Sequence, residues 1–147
     1  MLSHGFPFDT CQLPLNCFDG TFRSFEQRVL PEVLRQSIAA IGMKSLGGDG
    51  RVVKKKAVKV QDALRYAMSL PVATTVSGID SMRVLRQNLA IAQGFVPMTR
   101  SEMAAHRRRL AAHAADGRFE LYKTTAQHDG VEGRREHGFP SQEELSA

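Results

Sequence analysis

The chain has no tryptophan, only two tyrosines and only two cysteines in 147 residues. Two tyrosines and no tryptophan leave little for the base stacking on which single-stranded nucleic-acid binders depend. The 20 Lys and Arg residues are scattered over separate segments, so the net charge of +5 does not gather into one basic stripe. A small basic nucleic-acid-binding protein is therefore the weakest reading. Cys11 and Cys17 are too far apart to bridge along one strand, because such a separation spans roughly 20 Å. No Cys-x-x-Cys or His-x-x-x-His pattern points to a metal. Reduced thiols in a cytoplasmic protein are the expectation. No apolar run is long enough for a membrane-spanning helix. The opening MLSHGFPFDT lacks the apolar core of a signal peptide.

What is present is ordinary for a globular domain: 42% hydrophobic and 24% charged residues. The most informative stretch is IAAIGMKSLGGDG, from Ile38 to Gly50. An apolar run to Met43 reads as a buried parallel strand. It meets Lys44 and then a turn rich in glycine at Gly47, Gly48 and Gly50. Ligands of α/β proteins bind at that end of the strands, where glycines admit a close backbone approach. A tight strand-to-helix connection with no ligand is the plain alternative.

Taken in order, Phe8 to Cys17 predicts a strand with Cys11, Leu13 and Leu15 on one face and Gln12 and Asn16 on the other. Pro14 argues against a central position. Residues 22–36 carry a helical stripe, with Ser24 and Gln27 resembling a capping box and Pro31 either kinking the helix or opening a second one. Residues 51–59 read as a solvated loop with Lys54, Lys55, Lys56 and Lys59; attraction of an anion is the sharper reading. A helix over 61–70 turns Ala63, Leu64, Ala67 and Met68 inward and ends at Pro71. Val72 to Ile79 predicts a third strand. Asp80 or Ser81 caps the next helix, with Met82, Leu85, Leu89 and Ala92 on a buried stripe. Strand end, small residues and helix amino terminus together make an anion site.

Thr99 and Glu102 form a capping box for a last helix reaching Asp116-Gly117. Its Arg107-Arg108-Arg109 run reads as a solvated face, and His106 and His113 share a face without a third ligand. The composition turns polar at Arg118, which divides the chain into 1–117 and a largely irregular extension, 118–147. Phe119, Leu121 and Tyr122 are the residues expected to dock from that extension. Alternating strands and helices argue for a parallel sheet with right-handed crossovers.

Five segments, FDTCQLPLN, FRSFEQRVLP, IAAIGMKSLG, LRYAMSLP and SGIDSMRVLRQNLAIA, resemble in order and spacing the carboxyl-terminal half of aldo/keto reductases. The resemblance covers most of the chain, from near Phe6 to Thr125. It implies an α/β fold, a partial (β/α)8 TIM barrel holding strands six to eight with their helices and an irregular carboxyl-terminal tail. A full barrel needs roughly 250 residues. The opening resembles the end of the fifth helix, which implies that Met1 is internal to a longer parent.

The implied cofactor is NADP, with NAD left open. Gln12 matches the glutamine that hydrogen-bonds the nicotinamide carboxamide, and Met43 stands where many members stack a tyrosine on that ring. Lys44, Ser45, Leu46 and Gly47 match the loop that crosses the pyrophosphate. Ser77 and Gly78 match the adenosine-phosphate contact, and Gln87 and Asn88 the pair that binds adenine. Members that grip the 2′-phosphate often carry lysine at the Gly78 position and arginine at the Val84 position; here Arg83 is the substitute. Nothing corresponds to the family's catalytic Asp, Tyr, Lys and His, so Tyr66 and Tyr122 receive no catalytic role. The resemblance implies a cofactor-binding half that works only with a partner supplying the first five strands. The alternative is a truncated, non-catalytic remnant that binds nucleotide weakly or not at all. Either way, an incomplete barrel is expected to expose apolar surface and associate.

Overall fold

The computed structural model describes residues 2–125, 131–141 and 143–144. Three parallel strands, β1 (Thr10–Pro14), β2 (Ala39–Met43) and β3 (Thr74–Thr75), form one sheet in the order β1-β2-β3. Between β1 and β2 run α1 (Phe25–Arg28) and α2 (Leu30–Arg35). Between β2 and β3 run α3 (Arg51–Lys54) and α4 (Val60–Ser69). Then follow α5 (Met82–Gln93), α6 (Arg100–Ala114), a single 3-10 turn at Leu121–Lys123, and α7 (Val131–Glu136). The mixed α/β alternation read from the sequence is present.

The register pairs Cys11 with Ala40 and Leu13 with Gly42. Those residues and Leu15 share the sheet face on which the helices pack. Leu13, Leu15 and Ala40 join Leu30 and Val33 of α2, Val52 of α3, Ala63 and Tyr66 of α4, and Leu110 and Ala114 of α6 in the core. The opposite face carries Gln12, Ile41, Met43, Thr74 and Val76, of which Gln12, Thr74 and Val76 are exposed among the described residues. β1 is an edge strand, as Pro14 requires, and the ladder continues past it through Leu15 N to Met43 O at 2.9 Å.

Several expectations change in detail. The helical pattern over 22–36 becomes two helices, with Pro31 in the first turn of α2. Ser24 accepts from Gln27 N at 3.0 Å, but the Gln27 side chain turns to Gly20 O, so only half of a capping box forms. The loop expected over 51–59 begins with one helical turn that buries Val52, while Lys54, Lys55 and Lys56 stay exposed. The third strand shrinks to Thr74–Thr75, flanked by bonds from Ala73 N to Ala40 O and from Val76 N to Gly42 O. Among the described residues it has one strand neighbour, β2, so half its backbone groups gain nothing from extended pairing.

The buried stripe expected on α5 is not buried. Met82, Leu89 and Ala92 are exposed, Leu85 is half-buried, and α5 has no fully buried residue. Helical periodicity marks a face that suits burial; it does not supply the neighbour. Among the described residues no strand lies beyond β3 to cover it. Arg107, read as solvated, bonds to Glu26 and Tyr66, and His106 is buried while His113 is exposed. Met68 is half-buried rather than inward.

The segment after Gly117 docks more firmly than expected, burying Glu120 and Lys123 besides Phe119. The parts of the expected extension at 126–130, 142 and 145–147, and Met1, lie outside the described residues. Among the described residues no helix is long and apolar enough to cross a membrane.

Candidate functional site

The loop after β2 is held in a tight, partly left-handed conformation. Gly47 N donates to Lys44 O at 2.8 Å. Lys44 itself has φ +55°, which costs a residue with a Cβ about 1–2 kcal/mol. Gly47 has φ +77°, and a Cβ there would stand 2.5 Å from Phe119 O, so only glycine fits. Ser45 is buried and donates from Oγ to Val76 O at 3.4 Å, tying the loop to the end of β3. Beyond β3, Asn88 Nδ2 donates to Ser77 Oγ at 3.1 Å and to Gly78 O at 3.4 Å. Ser81 is the N-cap of α5, accepting from Val84 N at 3.3 Å.

Between these two loops and α5 lies an open cleft of about 510 Å³ at the carboxyl ends of β2 and β3. It brings together Lys44, Ser45 and Leu46 with Ser77 and Gly78 and with Arg83, Gln87 and Asn88. Lys54 and Asp80 also line it. Lys44, Lys54 and Arg83 make no ion pair among the described residues, whereas Asp49 is taken by Arg51 at 3.1 Å. Set against Asp80, the three cations leave the cleft with a positive excess, and the amino end of α5 adds to it.

Three of the residues singled out from the sequence are elsewhere. Gln12 and Met43 sit side by side on the uncovered sheet face, with Gln12 Nε2 3.4 Å from Met43 Sδ. Gly47 lies behind the loop and lines a second cavity of about 390 Å³ with Lys44, Gly48, Asp49, Arg51, Leu121 and Tyr122. Lys44 borders both cavities.

Tyr122 is fixed by a buried polar network that sequence reasoning missed. Its hydroxyl donates to Glu120 Oε1 at 2.6 Å and accepts from Asn16 Nδ2 at 3.0 Å. Burial, then the Glu120 carboxylate, push its phenol above the ordinary range, so it stays a donor. Lys123 Nζ donates to Glu120 Oε2 at 2.8 Å, Asp19 Oδ1 at 2.5 Å and Phe22 O at 2.9 Å. Asp19 also accepts from Ser24 Oγ, Phe25 N and Glu26 N at the start of α1. In the sequence the signal was faint: two charges and a tyrosine beside Phe119 and Leu121 suit a solvated loop equally well.

A second cluster sits on the helical side. Tyr66 donates to Glu26 Oε2 at 2.7 Å, and Arg107 Nη1 meets Glu26 Oε1 at 2.9 Å, pinning α6 to α1 and α4. Burial raises the Glu26 carboxyl, against the pull of Tyr66 and Arg107. Among the described residues no group of three or more His, Cys, Asp or Glu side chains is placed to hold a metal ion.

No protein-family model, curated protein or solved structure matches the chain.

Proposed function

We propose that the chain is the cofactor-binding part of an NADP-dependent reductase of the aldo/keto type, one segment of a (β/α)8 barrel. The observation that carries this reading is the convergence of the two loops and α5 on one positively charged cleft. The residues that the resemblance assigns to pyrophosphate, adenosine phosphate and adenine all border it, except Gly47. The donor set suits the ligand. Lys44 and the turn behind it receive the pyrophosphate, Arg83 at the first turn of α5 receives the 2′-phosphate, and Gln87 and Asn88 flank the adenine. A helix amino terminus strengthens each anionic contact near it.

Gln12 and Met43 would take the nicotinamide, but they stand on a sheet face open to solvent. The nicotinamide supplies hydride when bound; the resemblance gives none of the residues that line this cleft the role of proton donor to a carbonyl. The proposed chain therefore holds and orients the dinucleotide, and carbonyl reduction needs a partner with the first five strands. The open sheet face and the exposed stripe of α5 support such a partner.

Titration of the full chain with NADPH and NADH, by calorimetry or nicotinamide fluorescence, tests the reading. Saturable binding is expected with a dissociation constant of roughly 10–1000 µM, because half of the ligand has one wall only. No NADPH oxidation is expected with an aldehyde substrate in a preparation free of host reductases. Absence of binding at millimolar NADPH would overturn the proposal. Sub-micromolar affinity or robust turnover would overturn the claim that the site is incomplete.

A further inference from the structure

Lys44 is the one cation that both cavities share, and its side chain is long, flexible and held by no hydrogen bond among the described residues. An ammonium of that kind gives up rotamer freedom when it grips an anion. Two features already restrict it. Its backbone is left-handed, which sets the direction in which the side chain leaves the loop. Its Nζ lies 5.3 Å from the centroid of the Tyr122 ring. A ring face attracts a cation, and the ammonium hydrogens turned away from the ring stay free for an anion.

The ring is itself held by hydrogen bonds. Its hydroxyl is locked between Asn16 and Glu120, and Glu120 is locked in turn by Lys123. Asn16, Glu120 and Lys123 are all buried. We infer that Tyr122 is a positioning residue: from the second cavity it holds the Lys44 ammonium at the junction of the two cavities, and so acts on the anion-binding cleft through Lys44. This rests on the dinucleotide reading above. It assigns the network behind Tyr122 the task of keeping an aromatic platform still beneath a mobile charge.

The test is a double-mutant cycle on NADPH affinity in the full chain, using Tyr122→Leu, Lys44→Ala and the pair, with Tyr122→Phe as the conservative variant. Thermal melting of each variant reports the structural cost separately. Tyr122→Leu is expected to raise the dissociation constant about two- to fivefold, the size of an exposed cation–π contact. Tyr122→Phe keeps the ring but cuts its link to Asn16 and Glu120, so it is expected to raise the dissociation constant by less than Tyr122→Leu does. In the Lys44→Ala background, Tyr122→Leu is expected to change affinity no further, since its route to the ligand has gone. A purely structural role would lower affinity equally in both backgrounds, and that result sinks the inference while leaving the dinucleotide reading intact. Wild-type chain that does not bind NADPH sinks the dinucleotide reading and this inference with it.

Discussion

Replacing Lys123 by methionine removes the cation that pairs with both carboxylates, Asp19 and Glu120, in one buried site. The side chains of Lys123, Asp19 and Glu120 are 2%, 0% and 1% exposed. All three ammonium hydrogens are used, on Asp19, Glu120 and Phe22 O. The loss is uneven. Asp19 keeps Ser24 Oγ and two backbone amides at the start of α1, whereas Glu120 Oε2 loses the lysine that it accepts from. Breaking a buried pair from one side costs about 3–5 kcal/mol. For a domain of this size that corresponds to a fall in Tm of roughly 6–20 °C. It is a large part of a total stability of about 5–15 kcal/mol. Urea unfolding followed by circular dichroism measures it. Because the uncompensated charge is at Glu120, the double variant Lys123→Met/Glu120→Gln is expected to recover about 1–2 kcal/mol of the loss. A Lys123→Met cost below about 1 kcal/mol would refute the reasoning, and so would a double variant no more stable than the single one. If the single variant does not fold, folding of the double variant carries the same test.

Two further perturbations separate local causes. Arg109 Nη2 lies 2.9 Å from His106 Nδ1, and the ring's buried Nε2 has no hydrogen-bond partner among the described residues, so His106 folds as the neutral ring. Burial, then the Arg109 charge, hold it below its ordinary value of 6.5. Its contribution is complete above that value and is lost as pH falls below it, because the unfolded ring takes up a proton that the folded ring resists. Glu26, raised by burial, works in the opposite direction on acidification, so the quantity to compare is wild type minus His106→Leu. That difference is expected to shrink between about pH 7.5 and pH 5 in urea titrations; a constant difference would count against it. Gly47→Ala is expected to cost about 2–4 kcal/mol, since a left-handed φ and a clash with Phe119 O add together. Gly50→Ala, at φ +68° with open space around it, is expected to cost about 1 kcal/mol. Equal costs would mean that the Phe119 carbonyl does not press on the loop.

What the sequence made legible was local. An apolar run followed by glycines located β2 and its loop, and Thr99 with Glu102 forms the complete capping box expected of it. Ser81 caps α5 as one of two candidates. These features depend on residues within a turn of each other, where propensity and hydrogen-bond geometry decide. What was not legible depends on distance. Nothing near Arg107 indicates that Glu26 and Tyr66 will meet it from two other helices. Nothing near Met82, Leu89 or Ala92 tells whether a neighbour exists to cover them. The sharpest case is the carboxyl-terminal segment. It reads as a polar extension, and its charges become core because Asn16 and Asp19, 104 residues earlier in each case, fold against Glu120 and Lys123. The grouping of cleft residues falls between these extremes: each loop was readable alone, and parallel topology set the loops side by side.

The pairing of Asn16 with Glu120, and of Asp19 with Lys123, spans 104 residues in each case. During synthesis at 5–20 residues per second, roughly 5–20 s separate the emergence of the two sides. β1 can pair with β2 well within that interval, and α1 can form behind it. The turn between β1 and α1 cannot dry out, because Asp19 has no counter-charge and Phe18 has not met Phe119, whose ring later sits 5.3 Å away. One of the first loops to be made is thus among the last to close.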